Sequence, residues 1–548
     1  MPPFVVENLA VWINAVRYDD IPERVRDRAR QQLASIAAGL RAGARTEAAQ
    51  CVRRAVSAWN KPGRCTIAPT GEKTALHEAV LANCACSMSL DYDDYLFLGH
   101  TGHSAVLASL AVGEELGLGG RDVLAAQIVA NEIGGRLGAS VVLGPQNGQA
   151  WSFIHAAEAA AATAHLYGLT AAQTAHALAL ALYQPSFTLW PGFMGPDSKA
   201  LTAAWPAVVG VQAAQFAREG LTGALDIIEN ARHGFWRHFA FAPLPQMMAG
   251  LGEVWVTDTL AIKKHPGCAY VSSALDALFG VLAQFRDRAG RSATAADIAR
   301  LDVDAGLFTI EMDNLAADAA DPARLRPVEI NFSIPLTMAT GALAGRLTGA
   351  EMQQDWLDRR QGEIRELAAR VRLSHDWSMT RQTAEAFGWG LDGRKILDTL
   401  SFADLSRVAA GYRRQMGGPK RISLDLPRAA GAGDVALFGG AGRNLARRLG
   451  LAGPRRLADP VRHFQDFRMV FPARVTLTAS DGATFSARQD SPSGASGQND
   501  LAETARQKFL TEAGADLTAA QAKKALKTIL RAENISAATL AKAVCVAR

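Results

Sequence analysis

The sequence predicts a mainly α protein in which a smaller α/β unit interrupts a large all-helical domain. Three observations support this fold class. Up to about residue 250, apolar residues recur near the helical period in segments rich in Ala and Gly, which let helices pack closely. Near Leu251 the composition changes and strand-like alternation begins, and from Leu501 onward the helical pattern returns.

The elements of the first part follow from periodicity and from loop residues. Between Ile21 and Leu40, apolar residues lie near a 3.6-residue period, which predicts a helix. A Pro-Gly pair then marks a loop, after which RCTIAPTGE has the composition of a short strand and turn. A later predicted helix carries Glu132 and Arg136 four residues apart, so these two side chains can pair.

The second part combines predicted strands with predicted helices. The segment ARLDVDAGLFTIEM alternates as a strand does, and VEINFSIPLTMATGALAGRL is typical of an extended entry into a helix. FPARVTLTASDGATFSARQ predicts a hairpin with Asp481 and Gly482 at its turn. From about 376 to 466 the pattern loosens, and residues 412–468 carry twelve Lys or Arg against four Asp.

The composition restricts the class of protein and its partners. The 548 residues are 49% apolar and 20% charged, which is ordinary for a globular protein. A net charge of +5 suits a small anionic substrate, and Arg without interleaved aromatic residues does not indicate nucleic acid. Six cysteines without a CxxC pair indicate free thiols in a reducing compartment. Without a signal-peptide pattern or an uninterrupted apolar span, a cytoplasmic protein that does not enter membranes is predicted.

The stretch LDYDDYLFLGHTGH, from Leu90 to His103, concentrates side chains that can do chemistry. It holds three aspartates, two tyrosines and two histidines between two apolar, helix-like segments. A carboxylate beside an imidazole is an oriented and tunable proton acceptor, so the stretch predicts a catalytic site on a helical scaffold. The alternative is a solvated acidic loop that caps the following helix.

Six segments in a consistent order resemble the MmgE/PrpD family, which includes 2-methylcitrate dehydratase, cis-aconitate decarboxylase and iminodisuccinate epimerase. They are HEAVLANCACSMSLDYDD with a histidine after it, GLGGRDVLAAQIVANEIGGRLGAS, DSKALTAAWPAVVGVQAAQFAREGLTG, IKKHPGCAYVSSALDAL, NFSIPLTMATGALAGRL and FPARVTLTASDGATFSARQDSPSG. The resemblance implies a helical domain at 1–255 and 502–548, and an α/β lid at 256–501 with an insertion at about 376–466. It also implies a homodimer without a cofactor or metal.

The resemblance further implies five catalytic residues in the cleft between the helical domain and the lid. His103 would act as the general base or acid, and Asp91 would orient it or bind a substrate hydroxyl, although about two residues more separate them than in the family. Tyr95 would make a polar substrate contact. Lys199 and Lys263 would neutralise substrate carboxylates and the developing enediolate. The alternatives are a helix-capping histidine for His103 and an ordinary surface lysine for Lys199.

Four further residues are candidates for substrate binding. Asp94 adjoins the catalytic cluster, and Cys268 stands where some family members carry a histidine, although its thiol is expected to pack rather than to act as a nucleophile. Gln149 falls where the family often has a second active-site histidine. An uncharged amide cannot do acid–base work, so either His155, six residues away, has taken this role or the reaction is a variant.

These expectations define a cofactor-independent lyase for a small di- or tricarboxylic acid, first of all a dehydratase of the 2-methylcitrate type. The chain lacks HExxH, GxxxxGK[ST] and a strand-linked GxGxxG, which agrees with the absence of a metal or nucleotide. A decarboxylase or an epimerase would use the same residues, and their spacing does not distinguish the three reactions. A non-catalytic protein that binds anions or a partner on this scaffold is the alternative from another class.

Overall fold

Helices form most of the structure, so the predicted mainly α fold is confirmed. The computed structural model describes residues 3–145, 151–317, 321–390, 400–415 and 464–545. The first eleven helices are α1 (Val5–Ala15), α2 (Glu23–Gly43), α3 (Glu47–Trp59), α4 (Leu76–Met88), α5 (Gly102–Leu116), α6 (Gly120–Ser140), α7 (Ser152–Leu166), α8 (Ala171–Tyr183), α9 (Trp190–Phe193), α10 (Leu201–Arg218) and α11 (Phe235–Phe239). The later helices are α12 (Ala269–Ala289), α13 (Leu307–Ala317), α14 (Pro327–Phe332), α15 (Ile334–Ala344), α16 (Gln354–Ala368), α17 (Trp377–Gly390), α18 (Phe402–Gln415), α19 (Leu501–Ala513), α20 (Ala519–Ile529) and α21 (Ala537–Val544).

The centre of the helical part is α7, which packs against α5, α6, α8 and α10. Small side chains allow this close approach. A Cβ added to Gly210 of α10 would lie 2.2 Å from the carbonyl oxygen of Ala156, so only glycine fits at this crossing. Glu132 and Arg136 of α6 form the predicted pair, with Arg136 Nε 3.1 Å from Glu132 Oε2, and both side chains are buried.

The strands of the described residues form three small sheets. β1 (Cys65–Ile67) and β2 (Glu72–Thr74) make the short strand and turn expected after the Pro-Gly pair, and β3 (Asp94–Leu96) pairs with β4 (Leu260–Ile262). The largest sheet has the order β6-β5-β7-β8 and contains β5 (Ile298–Ala305), β6 (Val371–His375), β7 (Ala473–Ala479) and β8 (Thr484–Gln489). β5 is parallel to β6 and antiparallel to β7.

The β7–β8 hairpin confirms the prediction from its sequence. Alternate residues of β7 are buried, from Ala473 to Ala479, and α12 packs against both strands. Gly482 of the turn has φ +86°, a conformation that glycine adopts without strain.

Two parts of the second half differ from the expectation or lie outside it. The predicted extended entry at VEINF is wrong, because Pro327 and Glu329 begin the short helix α14, where Arg326 N donates to Glu329 Oε1 at 3.0 Å. Within the predicted insertion, α17 and α18 are helical. Residues 416–463, which hold most of the Arg-rich segment, lie outside the described residues.

The chain after Leu501 is helical, as predicted, and packs against the N-terminal helices. α19 contacts α2, and α21 contacts α5. The predicted domain boundaries stay a prediction. Over the described ranges, no helix combines the length and the apolar character that a membrane crossing requires.

Candidate active site

A short strand pairing brings distant parts of the sequence together at the candidate site. β3 and β4 run antiparallel with Asp94 opposite Ile262. Lys263 directly follows β4, and its backbone N–H donates to the carbonyl oxygen of Asp93 at 3.2 Å. The pairing therefore sets a lysine against the aspartate cluster, although about 170 residues separate them in the chain.

The chain turns sharply at Asp91, between α4 and β3. Asp91 has φ +53°, in the left-handed region that aspartate tolerates better than most side chains. The N–H of Gly267 donates to its carbonyl oxygen at 3.2 Å. Every residue from Leu90 to Phe97 is buried, so the alternative of a solvated acidic loop is wrong.

Lys263 and two aspartates form a buried ionic centre. Lys263 Nζ lies 2.7 Å from Asp93 Oδ1 and 3.0 Å from the carbonyl oxygen of Asp91, and it also contacts Asp91 Oδ1. Burial opposes charge on all of these groups, but the two carboxylates raise the pKa of Lys263 above its ordinary value. Burial likewise opposes ionisation of Asp93, yet Lys263 and two imidazoles hold its pKa well below the ordinary value. The centre is therefore charged.

Two imidazoles lie against the other oxygen of Asp93. His100 Nδ1 lies 2.7 Å from Asp93 Oδ2, and His103 Nε2 lies 3.1 Å from the same atom without the alignment of a hydrogen bond. His103 Nδ1 is 2.8 Å from Ser87 Oγ. Burial lowers the pKa of His100, and the nearby Asp93 charge partly offsets this effect. One carboxylate thus orients two candidate proton carriers.

Lys199 is a second buried lysine with fewer polar contacts. It lies just before α10, and its Nζ is 4.0 Å from Asp91 Oδ2 and 3.5 Å from the carbonyl oxygen of Met88. The rings of Phe193 and Phe332 lie 5.2 and 5.5 Å from the ammonium. Burial lowers its pKa, so its charge is less fully compensated than that of Lys263. At 2% exposure it is not an ordinary surface lysine.

A small, largely aromatic pocket adjoins this ionic centre. His100 and Cys268 contribute to its wall. Its aromatic lining residues are Tyr95, Trp190, Phe193, Phe308, Phe332 and Phe471. Burial raises the pKa of Tyr95, which keeps this phenol protonated, and raises the pKa of Cys268 to about 12, which disfavours the nucleophilic thiolate. The thiol therefore packs, as expected.

Asp94 points into the helical core and does not line this pocket. Its Oδ2 accepts a hydrogen bond from Gln32 Nε2 at 2.7 Å, while its buried Oδ1 has no hydrogen-bond partner among the described residues. Burial and the neighbouring Asp93 charge raise its pKa to about 7. This geometry favours a supporting role over direct substrate binding.

His155 lies on the far side of His103, with the two ring centroids 6.0 Å apart. Its Nδ1 is 2.7 Å from Ser104 Oγ, and burial lowers its pKa well below the ordinary value. His155, the residue predicted to replace the second family histidine, thus lies beside His103. Gln149 lies outside the described residues.

Lys508 supports the aspartate loop from the C-terminal side. Its Nζ, on α19, donates to Ser35 Oγ at 2.8 Å and to the carbonyl oxygens of Tyr92 and Asp93 at 3.0 and 3.2 Å. The ammonium also lies 4.1 Å from the centroid of the Tyr92 ring. Burial lowers the pKa of Lys508 to about 7.

Three potential metal ligands also meet here. Ligand atoms of Asp91, Asp93 and His100 lie within 4.8 Å of one another. The Lys263 ammonium already contacts both carboxylates. The donor set therefore fits an internal ammonium better than a metal.

The structure brings together most of the predicted site residues, while their catalytic roles stay predictions. Asp91, His103, Lys199 and Lys263 lie in one buried cluster, and Tyr95 and Cys268 line the adjoining pocket. Sequence reasoning left Asp93 and His100 without roles, although both are central. The spacing to His103 could have indicated Asp93. About two residues more separate Asp91 from His103 than in the family, and Asp93 lies two residues closer to His103 than Asp91 does.

The fold and the site together define a class of protein. It is a helical scaffold that holds a preorganised, buried polar site beside a small pocket. Residues 7–246 match the family model of the MmgE/PrpD N-terminal domain. The predicted resemblance to the MmgE/PrpD family is therefore confirmed over these residues.

The chain is also similar to two curated proteins. A cis-aconitate decarboxylase from Aspergillus terreus is 26% identical over 305 residues, which cover 53% of this chain and 62% of that protein. A cis-aconitate decarboxylase from Aspergillus terreus strain NIH 2624 / FGSC A1156 is 27% identical over 291 residues, which cover 50% and 59%. The matches therefore span less than two thirds of either relative.

Proposed function

We propose that the protein is a cofactor-independent lyase for a small di- or tricarboxylic acid, with decarboxylation of a cis-aconitate-type substrate as its first candidate reaction. The carrying observation is that the ionised Asp93 contacts one lysine and two imidazoles beside an aromatic pocket. The similarity to two cis-aconitate decarboxylases favours this reaction over dehydration.

Lys199 is the proposed anchor for a substrate carboxylate. Lys263 already contacts two aspartates, so its role is to hold them in place. Among the described residues, one carboxylate lies within 4.0 Å of Lys199 Nζ, and the ammonium also contacts the carbonyl oxygen of Met88 and lies near two aromatic rings. A buried cation with such incomplete compensation attracts an anion strongly, because the surroundings screen its charge weakly.

The imidazoles are the proposed proton carriers. Because burial keeps His100 largely neutral, it can accept a proton and later return it to a substrate carbon. Asp93 lies 2.7 Å from His100 Nδ1 and stabilises the imidazolium while it exists. His103 Nε2 lies 3.1 Å from the same carboxylate, which makes it the second candidate carrier.

The decarboxylation balances with a single proton. In cis-aconitate, the bond between the methylene carbon and its carboxylate breaks, carbon dioxide leaves, and the electron pair moves into the adjacent double bond. The far alkene carbon then takes one proton from an imidazole, and that imidazole has first taken this proton from solvent. Aromatic walls favour this step, because the leaving carboxylate loses its charge as carbon dioxide forms.

Dehydration of a 2-methylcitrate-type hydroxy acid is the second candidate. It requires a donor for the departing hydroxyl group, and Tyr95 supplies a phenol that stays protonated in the pocket wall. The same imidazoles would remove the proton next to the carboxylate.

Proton NMR in deuterated water with cis-aconitate, 2-methylcitrate, citrate, tartrate and iminodisuccinate tests the proposal. Decarboxylation predicts carbon dioxide and a terminal methylene product that carries one deuterium. Dehydration predicts a new vinyl signal without carbon dioxide, and deuterium entry without net conversion indicates epimerase chemistry.

A Lys199→Ala variant tests the anchor in the same assay. We expect kcat/KM to fall about 10²–10³-fold, the usual loss when a preorganised charge or donor is removed. Lys524→Ala, at an exposed position on α20, is the matched control and should keep wild-type activity. If wild type and Lys199→Ala are equally silent on all five acids, the proposal fails and a binding protein becomes the better interpretation.

A further inference from the structure

Behind His103, three buried side chains form a short hydrogen-bonded row. Ser104 Oγ lies 2.7 Å from His155 Nδ1 and contacts Glu158 Oε2. His155 and Glu158 belong to α7, whereas Ser104 belongs to α5. The His155 ring lies against that of His103, so the row ends at the candidate active site.

Ser104 Oγ also lies 3.5 Å from the carbonyl oxygen of Thr101, at the limit of a hydrogen bond, and the two short contacts of the row allow two arrangements of hydrogens. If Glu158 is ionised, Ser104 donates to it, and His155 donates from Nδ1 to Ser104, which leaves Nε2 as an acceptor. If Glu158 is neutral, it donates to Ser104, and Ser104 donates to His155 Nδ1. Nε2 must then carry the hydrogen of the neutral ring. The state of Glu158 therefore decides what His155 offers at its other nitrogen.

The surroundings of Glu158 favour the neutral acid. Its Oε1 is buried without a hydrogen-bond partner, and among the described residues only the His155 ring, at 3.6 Å, supplies a basic group within ion-pair distance. An ionised carboxylate with one donor would be poorly solvated here. Burial raises the pKa of Glu158 well above the ordinary value and lowers that of His155, which argues against an ion pair between them.

The fold also keeps a place for this carboxyl group. A Cβ added to Gly134 of α6 would lie 1.8 Å from Glu158 Oε1, so the absence of a side chain at Gly134 makes room for the acid. Glu158 is therefore fixed from one side by α6 and from the other by Ser104.

We propose that Glu158 and Ser104 are positioning residues that hold His155 as a neutral imidazole with its hydrogen on Nε2. This inference rests on the proposed function. His155 would serve as a hydrogen-bond donor to a substrate oxygen that gains negative charge, while His100 and His103 move the proton. A neutral donor stabilises the developing charge without giving up its own hydrogen.

The variant Glu158→Gln distinguishes the two arrangements of hydrogens in the row. In Glu158→Gln the side-chain NH₂ still donates to Ser104, so we expect kcat within about threefold of wild type and an unchanged pH profile. Ser104→Ala interrupts the row, and we expect kcat to fall about 10- to 100-fold. Ser109→Ala is the matched control, since Ser109 is another buried serine of α5 whose hydroxyl has no hydrogen-bond partner among the described residues.

A direct readout does not depend on turnover. Nitrogen-15 NMR of histidine-labelled protein reports which ring nitrogen carries the hydrogen, and a His155→Gln sample assigns the signal. Hydrogen on Nε2 in wild type and in Glu158→Gln supports the proposal. Hydrogen on Nδ1 in wild type, or a Glu158→Gln variant as impaired as Ser104→Ala, would overturn it. Silence on all five acids with hydrogen on Nε2 would refute the proposed reaction alone.

Discussion

Asp94 links the candidate site to the stability of the protein. Its pKa is raised to about 7, so the folded state holds this proton more tightly than the unfolded chain does. The contribution of Asp94 to the free energy of unfolding is therefore most favourable below about pH 4, near the usual pKa of an unfolded aspartate. It is lost as the pH rises to about 7. Each pKa unit corresponds to about 1.4 kcal/mol.

As the pH rises from 4 to 7, we expect the free energy of unfolding of Asp94→Asn to fall less than that of wild type. The difference should reach up to about 4 kcal/mol, because the shift spans roughly three pKa units. The amide oxygen can still accept from Gln32, so the fold should persist. Urea unfolding at several pH values measures this difference. Asp355→Asn, an exposed aspartate of α16, is the control, and parallel pH curves for wild type and Asp94→Asn would contradict the prediction.

At the level of single residues, the sequence predicted where the candidate site lies better than it predicted which side chains contact one another there. Lys199 and His103 could be predicted because their positions follow from motif spacing. Asp93 and His100 are neighbours of predicted residues, but their roles depend on the β3–β4 pairing, which no local pattern encodes. Glu158 was not predicted, because a glutamate inside an Ala-rich helix carries no signal of its burial.

Among the elements, α2 shapes the aspartate loop by its closeness to it. A Cβ added to Gly39 would lie 2.1 Å from the carbonyl oxygen of Tyr92, which precedes the central Asp93. Any side chain at Gly39 must therefore push α2 away from the loop or shift the loop itself.

We expect Gly39→Ala to lower the free energy of unfolding by about 1–3 kcal/mol, the usual cost of overpacking, and to reduce turnover by displacing Asp93. Gly362→Ala on α16 is the control, because a Cβ there meets no atom within 4 Å. That change should be neutral or stabilising by up to about 1 kcal/mol, since alanine favours the helix. Thermal unfolding and the NMR assay measure both effects, and equal behaviour of the two variants would rule out the proposed contact.

Long elements were predictable, whereas two of the short ones, α14 and β3, were not. The apolar period identified α2, and strict alternation identified β5 and the β7–β8 hairpin. The six-residue helix α14 is too short to show a period. β3 is only three residues long and lies in a segment whose charged residues suggested a loop.

On the scale of the whole molecule, α10 exposes an apolar face. Trp205, Val209 and Phe216 are 62%, 39% and 53% exposed, and their spacing places them on one side of the helix. Such a row is unusual on the surface of a monomer and is typical of an interface. It supports the homodimer that the family resemblance implies.

We expect the wild-type protein to sediment as a dimer and Trp205→Glu to sediment as a monomer at micromolar concentration. A charge in an apolar interface loses its hydration without gaining a partner. Trp59→Glu is the control, because Trp59 is similarly exposed at 51% but lies on α3, away from this face. Sedimentation velocity decides: a monomeric wild type, or two variants of equal mass, would exclude α10 as the interface.

The ammonium of Lys508 also orders the assembly of the site in time. It binds the carbonyl oxygen of Asp93 from a position 415 residues further along the chain. During translation, the aspartates, both histidines and the other two lysines therefore emerge from the ribosome long before Lys508, which binds their loop. The Lys508 contacts form when α19 docks on α2, so a chain that ends before Lys508 lacks them.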